Sequence, residues 1–467
     1  MQTLSKLKFL DRLILLTLFF SSYFSVKVFA QETKDSLKYF PLMLHREFDT
    51  SLTNDSLFLL KIAQDTWNFF DNSTYGSTGL IVDNVGIENG FAANYTSITN
   101  IGLYILCVIS AEELSIIKRN EALAKISATF NSLEKLEKYN GFFFNWYDLT
   151  KMKRSGEFIS AVDAAWLYSS LAVLKAKYPV EFGDRCESLM KDADFSWLYN
   201  KEVNAFNLGY DTNKNSFSPY NYQLLCSEAR IAFYYSVYRG FIEPVNWYFL
   251  QRTLPLSFEQ EQQPDGDWKQ YDSLNYFEGY YNYKNIKVIP SWGGSMFEYL
   301  MPGILFDELR AAPYGMGLNN SNLVKIHIDY ALNDLGYDIW GMSPCSIPTG
   351  GYEEYGVDKI GVSKDGYKSG VVTPHASFLA LNYFPHEVID NIKIMINQYK
   401  IYGEYGLYDS VDPLNGNTGY NYLALDQAMI LVSITNYLKD GCLTNLFINL
   451  NNMDKMISIL SDEKIFQ

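Results

Sequence analysis

Three acidic residues stand in stretches of the sequence that otherwise carry almost no charge. They are Asp163 in FISAVDAAWLYSSLAVL, Glu228 in LLCSEARIAFYY and Glu298 in PSWGGSMFEYLMPGIL. A charge among apolar residues needs a partner or a purpose, because burying an unpaired charge is costly. Arg230 follows Glu228 by two positions and does not face it on a helix, so we expect burial to raise the pKa of Glu228 towards that of a general acid.

Carboxyl groups among aromatic residues favour glycoside hydrolysis over other chemistries. That reaction needs one carboxylic acid to protonate the leaving oxygen and a second carboxylate as base or nucleophile. The sequence has no nucleophile elbow, no phosphate-binding loop ending in Lys-Ser/Thr and no dinucleotide fingerprint after a strand. We therefore predict Glu228, Glu298 and Asp163 as catalytic residues. The alternatives are a cap or a buried structural carboxylate for Asp163 and a structural pair with an arginine elsewhere for Glu228.

Aromatic and acidic side chains in loops and at helix starts are the predicted substrate-binding residues. Aromatic rings can stack on sugar rings, and carboxylates accept hydrogen bonds from sugar hydroxyls. The predicted set is Trp146, Tyr147, Trp292, Trp340, Tyr352, Glu353, Tyr355, Glu404 and Asp426. Packing in the core is the alternative for the aromatic residues. Glu353 and Glu354 would repel each other in one pocket, so we expect at most one of them there, and Asp426 is a reserve candidate for a general base.

The overall composition excludes several classes of protein. The chain has 467 residues, with 53 Asp+Glu against 38 Lys+Arg, a net charge of −15 and no block of basic residues. This balance argues against nucleic acid or an anionic membrane surface as partner. The content of 48% hydrophobic residues excludes a disordered chain. Acidic and aromatic composition together suit an oligosaccharide or polysaccharide substrate as well as a packed core.

The cysteine and histidine residues predict no metal site, no cofactor and no obligatory disulfide. The cysteines lack CxxC spacing and are expected to be buried thiols: Cys107, Cys186, Cys226, Cys345 and Cys442. The histidines are scattered and are expected at the surface or in packing: His45, His327, His375 and His386.

Residues 1–30 have the pattern of a cleavable signal peptide. Lys6, Lys8 and Arg12 form a positive region, an apolar run follows at 13–20, and small residues stand at the −3 and −1 positions of a site ending at Ala30. We expect a periplasmic or secreted monomer whose mature chain begins near residue 31. An uncleaved anchor is the alternative, and no later stretch is predicted to span a membrane.

Helical periodicity dominates the sequence from residue 54 onward, and alternation typical of strands is rare and short. In 122–139, for example, apolar residues recur at three- and four-residue steps with Lys or Glu between them. The predicted helices are 54–71, 97–116, 122–139, 158–178, 183–197, 221–240, 243–257, 292–311, 320–336, 373–382, 386–401, 422–439 and 444–461.

The order of helical hairpins and long aromatic loops predicts an all-α fold, an (α/α)6 toroid. Such a toroid is a double ring of helical hairpins in which long loops at one end build a deep cleft. No linker divides the mature chain, so we expect 31–467 to form one catalytic domain. A helical solenoid is the alternative, but the sequence shows no fixed repeat to support it.

Several blocks of the sequence resemble known glycan-processing proteins. The first group resembles the glycan-processing part of bacterial cyclic β-1,2-glucan synthases: TSITNIGLYIL, FFNWYDL, SAVDAAWL, SEARIAFY and WGGSMFEYLMP. The second group resembles the putative glucoamylase domain family, to which endo-β-1,2-glucanases are related: WGMSPCSIPTGGYEEYGV, VVTPHASFLAL, YGEYGLYDSVDP and YLALDQAMI. This resemblance covers most of residues 54–440. It implies an (α/α)6 toroid that acts on β-linked glucan, with β-1,2-glucan as the first expectation.

The resemblance also implies roles for individual residues. Glu228 matches the acid carboxylate of this superfamily. Glu298 matches a glutamate of the cyclising synthases, where retaining transglycosylation needs a nucleophile, whereas inverting endo-glucanases have a different residue there. Asp163 occupies the place of a cleft carboxylate, and Ser160 stands where some related glucanases have an additional aspartate. The chain lacks the glycosyltransferase and phosphorylase-like regions of the full synthases, so synthesis from a nucleotide sugar is not expected.

Together these observations predict an exported glycoside hydrolase or transglycosylase with Glu228 as acid/base. A non-catalytic glycan-binding protein is one alternative, and solvent-exposed Glu228 and Asp163 with ordinary pKa values would favour it. A polysaccharide lyase would need a positive site for uronate, which the net negative charge disfavours. An α-glucan glucoamylase is the nearest enzymatic alternative, because sequence alone does not reveal the linkage.

Overall fold

The computed structural model describes residues 36–52, 54–364 and 366–467. The predicted signal peptide lies outside this part of the chain. Helices dominate the described residues, as the sequence periodicity indicates. The α-helices, α1 to α14 in chain order, are Asp55–Asn72, Ile98–Glu113, Arg119–Leu133, Ala161–Lys177, Pro179–Met190, Arg230–Arg239, Met296–Leu300, Glu308–Ala311, Met316–Asp329, Pro374–Leu379, Pro385–Gln398, Ala424–Leu438, Cys442–Ile448 and Met453–Asp462.

Short strands fill much of the connecting chain, and most are two or three residues long. The strands, β1 to β23, are Asn84–Gly86, Phe91–Ala92, Tyr95–Ser97, Lys138–Tyr139, Phe142–Phe143, Trp146–Asp148, Lys153–Arg154, Phe158–Ser160, Tyr199–Asn200, Ala205–Asn207, Gly209–Asp211, Ser216–Phe217, Asn221–Tyr222, Asp265–Tyr271, Leu274–Tyr283, Ile286–Val288, Cys345–Ser346, Tyr352–Glu353, Tyr402–Gly403, Gly406–Leu407, Ser410–Asp412, Asn417–Gly419 and Asn421–Leu423. They pair into small antiparallel sheets of two or three strands.

Six helices pack against one another in a closed circuit. α2 contacts α4 and α12, α4 contacts α6, and α12 contacts α10, which in turn contacts α7. The buried Arg230 side chain of α6 donates to the carbonyl groups of Glu298 and Tyr299, which joins α6 to α7. Helices α1, α3, α5 and α11 each pack against a helix of the circuit. The fold is therefore a toroid-like assembly of helices.

Short polar residues fix the starts of several helices. Asn54 caps α1, Ser97 caps α2, Ser160 caps α4 and Ser295 caps α7, each by accepting a hydrogen bond from the backbone amide three residues later. These bonds satisfy N–H groups that the first turn of a helix leaves without a partner. Three of the capped helices belong to the circuit, and their first turns carry polar residues of the candidate site.

The structure corrects two parts of the sequence prediction. The helix predicted over 221–240 begins only at Arg230, and the region between the predicted helices 243–257 and 292–311 contains the long hairpin of β14 and β15. β14 is largely exposed on both faces, with Trp268 73% exposed, so it lacks the apolar alternation that identifies a strand. The other strands are too short to show alternation. The fold is thus dominated by helices but is not all-α.

The described residues contain no helix that combines the length and apolar character needed to cross a membrane. All five cysteines are free thiols, four of them buried and Cys442 half-buried. Burial raises the pKa of each thiol, as in Cys186, where it rises to about 12. These thiols therefore act as small apolar side chains in packing.

Candidate active site

The predicted catalytic residues lie at the amino-terminal ends of neighbouring helices in the circuit. Asp163 is in the first turn of α4, Glu228 stands two residues before α6, and Glu298 is in the first turn of α7. A parallel backbone bridge between Cys226 and Ser291 sets the segment that carries Glu228 beside the segment that leads to Glu298. The fold therefore brings together three carboxyl groups that are distant in sequence.

Glu228 has the environment of a general acid. Its side chain is half-buried, and its Oε2 accepts a hydrogen bond of 3.2 Å from Ser227 Oγ. Burial, followed by the negative charges of Glu298 and Asp163, raises the pKa of Glu228 from 4.5 to about 7. Near neutral pH a substantial fraction of the molecules therefore holds a proton on this group, as proton donation to a leaving oxygen requires.

Arg230 does not neutralise Glu228. Its guanidinium is fully buried and donates to both oxygens of Glu308, at 2.8 and 3.0 Å. Glu308 also accepts hydrogen bonds from Tyr234 at 2.6 Å and from Asn320 at 2.7 Å. The structural Glu–Arg pair therefore exists in this region, but its acid is Glu308 rather than Glu228.

Glu298 is buried and held by several hydrogen bonds. Its Oε2 accepts from Ser291 Oγ at 2.9 Å, Ser295 Oγ at 2.8 Å and the Ser295 amide at 3.0 Å. Its Oε1 accepts from the Gly293 amide at 3.2 Å. Burial raises the pKa of Glu298, while these hydrogen bonds oppose the rise. Glu298 is thus a rigidly placed carboxyl group whose Oε1 has fewer donors than Oε2.

Asp163 is fixed by two neighbouring side chains. Thr99 Oγ1 donates to one carboxylate oxygen at 2.6 Å. The side-chain amide of Asn145 is placed in the orientation that gives both its nitrogen and its oxygen a hydrogen-bond partner. In that orientation it donates to the other Asp163 oxygen at 3.1 Å and accepts from Trp146 Nε1 at 3.2 Å. Burial raises the pKa of Asp163. Ser160, rather than Asp163, is the capping side chain of α4.

Two further residues, Tyr222 and Tyr367, lie near the carboxyl groups, and the sequence did not identify them as members of the site. Burial, followed by the charges of Glu298, Glu228 and Glu354, raises the pKa of the Tyr367 hydroxyl, and Glu228 acts similarly on Tyr222. Tyr222 ends the two-residue strand β13 and Tyr367 lies in an irregular segment, so neither residue belongs to a periodic pattern that could have indicated it.

The glycine pair before α7 allows a close approach of Tyr367. A Cβ atom on Gly293 would lie 2.1 Å from Tyr367 Cγ, so no side chain fits there. Gly294 has a φ of +73°, and a Cβ on it would lie 2.2 Å from the Val357 carbonyl oxygen. The buried His327 donates from Nε2 to the Gly294 carbonyl at 3.0 Å. This turn thus places the tyrosine ring directly over the backbone that holds Glu298.

The predicted aromatic binding residues divide into accessible and buried groups. Trp292 is 38% exposed, and Trp146 and Tyr352 are half-buried, so these three can meet a ligand. Tyr147 and Trp340 are instead packed in the core, and the Tyr147 hydroxyl donates to a backbone carbonyl at 2.5 Å. The sequence did not separate these two groups. A loop rich in glycine and aromatic residues does not reveal whether a side chain points into the core or towards the solvent.

The two adjacent glutamates of the 350–357 loop have different surroundings. Glu353 pairs with Lys368 at 3.0 Å and accepts from the hydroxyl of the buried Tyr355 at 3.1 Å. Glu354 is the one close to Tyr367, and burial raises its pKa. The expectation of one glutamate at the site therefore fits Glu354 better than the predicted Glu353. Tyr355 is packed in the core.

Two other predicted acceptors, Glu404 and Asp426, contact residues other than these carboxyl groups. Glu404 accepts from the Tyr39 hydroxyl at 2.7 Å and from two backbone amides of the same amino-terminal segment, so it anchors that segment. Asp426 is buried beside His375 and Asp409. The sequence did not indicate this second cluster, because its members come from three separate segments.

Two family models match parts of the chain. Residues 260–451 match the family described as "Putative glucoamylase", and residues 61–231 match a family described as a protein of unknown function, DUF3131. The cyclic beta-(1,2)-glucan synthase of Rhizobium meliloti is 27% identical over 281 residues, which are 56% of this chain and 9% of that protein. The exo beta-1,2-glucooligosaccharide sophorohydrolase of Parabacteroides distasonis is 22% identical over 446 residues, 88% of this chain and 58% of that protein.

A solved structure shows the same fold. The endo-beta-1,2-glucanase of Chitinophaga pinensis, in complex with sophorotriose and glucose, superposes with a TM-score of 0.67 at 17% identity, over 87% of this chain and 98% of that one. The chain spans only part of the length of both curated relatives. In sequence and in fold, this chain is similar to glucoamylase-like proteins and β-1,2-glucanases.

Proposed function

We propose that this chain is an exported glycoside hydrolase or transglycosylase that acts on β-1,2-glucan. The observation that carries the proposal is Glu228, a half-buried carboxyl group with a pKa of about 7 and two further carboxyl groups beside it. A non-catalytic glycan-binding protein has no use for such a group, because hydroxyl recognition needs an acceptor rather than a proton donor. Glu228 therefore serves as the acid that protonates the glycosidic oxygen.

Glu298 is the proposed nucleophile if the reaction retains anomeric configuration. Its Oε1, with one amide donor, attacks the anomeric carbon, while the bonds on Oε2 stabilise the negative charge of the carboxylate before attack. Glu228 then becomes the base that activates the incoming water or sugar hydroxyl. Asp163 completes the polar cluster. Its charge helps to keep Glu228 protonated, and it is available to a sugar hydroxyl.

The linkage of the substrate rests on the relatives. One of them is named a cyclic beta-(1,2)-glucan synthase, another a beta-1,2-glucooligosaccharide sophorohydrolase and a third an endo-beta-1,2-glucanase. Trp292, Trp146 and Tyr352 are the accessible aromatic residues proposed to stack on glucose units. The family described as "Putative glucoamylase" supports a second candidate, hydrolysis of α-glucan by the same carboxyl groups.

The proposed architecture is a single (α/α)6 toroid over 31–467. The closed circuit of α2, α4, α6, α7, α10 and α12 supports six inner helices, and α1, α3, α5 and α11 support an outer layer. The proposed catalytic groups stand at the amino-terminal ends of inner helices, where the helix dipoles favour bound negative charge. We further propose a monomer that is released from its signal peptide into the periplasm or the medium.

The proposal is tested by incubating the mature protein with linear β-1,2-glucan and following the products by chromatography and anomeric NMR. Wild type should release shorter or cyclic products, with kcat/KM falling as the pH rises through about 7, because Glu228 must be protonated. Glu228→Gln should lose at least about 100-fold in kcat, the usual scale of general acid catalysis. The exposed variant Glu202→Gln is the matched control and should retain full activity.

Three results would contradict parts of this proposal. Equal rates for wild type and Glu228→Gln would remove Glu228 as the acid. Cleavage of α-glucan alone would favour the second candidate. Products of inverted configuration would show that Glu298 is not a nucleophile. Glu228 would still be the general acid in that case.

A further inference from the structure

A second cluster of buried polar groups lies where three segments meet. His375 is in the first turn of α10, Asp426 is in the first turn of α12, and Asp409 directly precedes β21. One nitrogen of the imidazole and one oxygen of each carboxylate all lie within 4.8 Å of one another. Each of the three residues is at most 3% exposed. The cluster is therefore a compact group of possible metal ligands inside the protein.

Three buried atoms of this cluster make no hydrogen bond to any described residue outside the cluster. These atoms are His375 Nδ1, Asp409 Oδ1 and Asp426 Oδ2. The hydrogen bonds that the cluster does make use other atoms: the Ser346 amide donates to Asp409 Oδ2 at 2.5 Å, and His375 Nε2 lies 3.5 Å from Thr373 Oγ1. A buried polar atom without a partner is uncommon in a folded protein, and three in one place indicate an additional occupant.

The charges around the cluster point to a cation. Asp426 Oδ2 lies 3.5 Å from His375 Nδ1. Among the described residues, no lysine or arginine forms an ion pair with Asp409 or Asp426. Two buried carboxyl groups without a cationic side chain must either hold a proton or bind a metal ion.

We propose that His375, Asp409 and Asp426 bind one divalent transition-metal ion. One imidazole and two carboxylates suit Mn²⁺ or Zn²⁺, whereas Ca²⁺ and Mg²⁺ prefer oxygen ligands alone. Ligands at about 2.0–2.2 Å from such an ion lie roughly 3–4.4 Å apart, so the present spacing of up to 4.8 Å needs a contraction of only a few tenths of an ångström. The site connects α10 with α12. The hydrogen bond from the Ser346 amide to Asp409 also joins it to the 340–357 segment.

The test uses the mature protein after treatment with a chelator, titrated separately with Mn²⁺, Zn²⁺ and Co²⁺. Isothermal titration calorimetry should show about one bound ion per chain with micromolar or tighter affinity, and saturation should raise Tm. Bound Co²⁺ should give ligand-field absorption bands that differ from those of the aqueous ion. Asp426→Asn and His375→Gln should each weaken binding by at least about 10-fold. His386→Gln is the matched control, because His386 is exposed on α11, and it should bind like wild type.

Two results would overturn the proposal. One is wild-type protein that shows no saturable binding of any of these ions up to about 1 mM, together with an unchanged Co²⁺ spectrum. In that case the two aspartates share a proton instead. The other is one-to-one binding that persists in both ligand variants, which would place the ion elsewhere. Because the wild-type calorimetry and Co²⁺ spectrum decide the first point without any variant, the test does not depend on whether the ligand variants fold.

Discussion

Replacing the proposed acid should make the protein more stable, in a way that depends on pH. In the folded protein the pKa of Glu228 is about 7, against an ordinary value of 4.5. Between these values the folded state holds a proton on Glu228 that the unfolded state has released, so the stability of the wild type falls as the pH rises from 4.5 to about 7. Glu228→Gln removes this titration while keeping nearly the same shape.

The size of the effect follows from the gap between the two pKa values. A gap of about 2.5 pH units, at about 1.36 kcal/mol each, corresponds to a stabilisation of about 3 kcal/mol for Glu228→Gln above pH 7. Below pH 4.5 the difference should approach zero, since Gln then replaces a neutral carboxylic acid. The difference in unfolding free energy should therefore rise steadily between these two limits.

The assay is urea unfolding of wild type and variant at a series of pH values from 4 to 9, followed by circular dichroism. The exposed variant Glu202→Gln is the control, and at pH 7 its stability should stay within about 0.5 kcal/mol of wild type. A Glu228→Gln variant whose stability differs from wild type by the same amount at every pH would refute the reasoning, because it would mean that Glu228 has the same pKa in the folded and unfolded states.

Three further substitutions test other contacts of the site. Glu308→Gln should lower the free energy of unfolding by about 3–5 kcal/mol, because it leaves the buried Arg230 guanidinium without its counter-charge, and urea unfolding at pH 7 measures this. Gly293→Ala should reduce kcat at least about 10-fold, because its Cβ would displace the Tyr367 ring; unchanged kinetics would show that the ring has no role. Trp292→Ala should raise KM for glucan by about 10-fold while leaving Tm within about 2 °C of wild type, since this side chain is 38% exposed, and a large loss of Tm would show that it packs instead.

The sequence predicted the helices better than the strands for a physical reason. Helices such as α11 carry one apolar stripe over several turns, so their periodicity is visible. The short strands are stabilised by backbone pairing across the fold, as where β1 pairs with β23, and leave no pattern in their own residues. The β14–β15 hairpin is long enough for a pattern, but its exposure removes the alternation.

The sequence also indicated the acidic residues of the site better than its aromatic residues. Glu228 and Glu298 stood out because a charge is conspicuous among apolar neighbours, and the fold places both at helix starts. An aromatic residue can serve a core or a ligand equally well, so Trp340 and Trp292 looked alike although one is buried and the other exposed. Tyr367 reaches the site through a loop whose path is set by contacts with the backbone at Gly293, and local sequence does not contain that information.

The closed circuit of helices has a consequence for how the chain acquires its structure. Residues far apart in sequence must meet: Tyr402 donates to Asp65 across 337 residues at 2.9 Å, and α2 packs against α12. Until the last quarter of the chain has been synthesised, the apolar faces of α1 and α2 lack their final partners. Contacts of such long range make folding slow and expose incomplete chains to aggregation. We therefore expect refolding from urea to be slow and the nascent chain to depend on a holding chaperone until its final helices emerge.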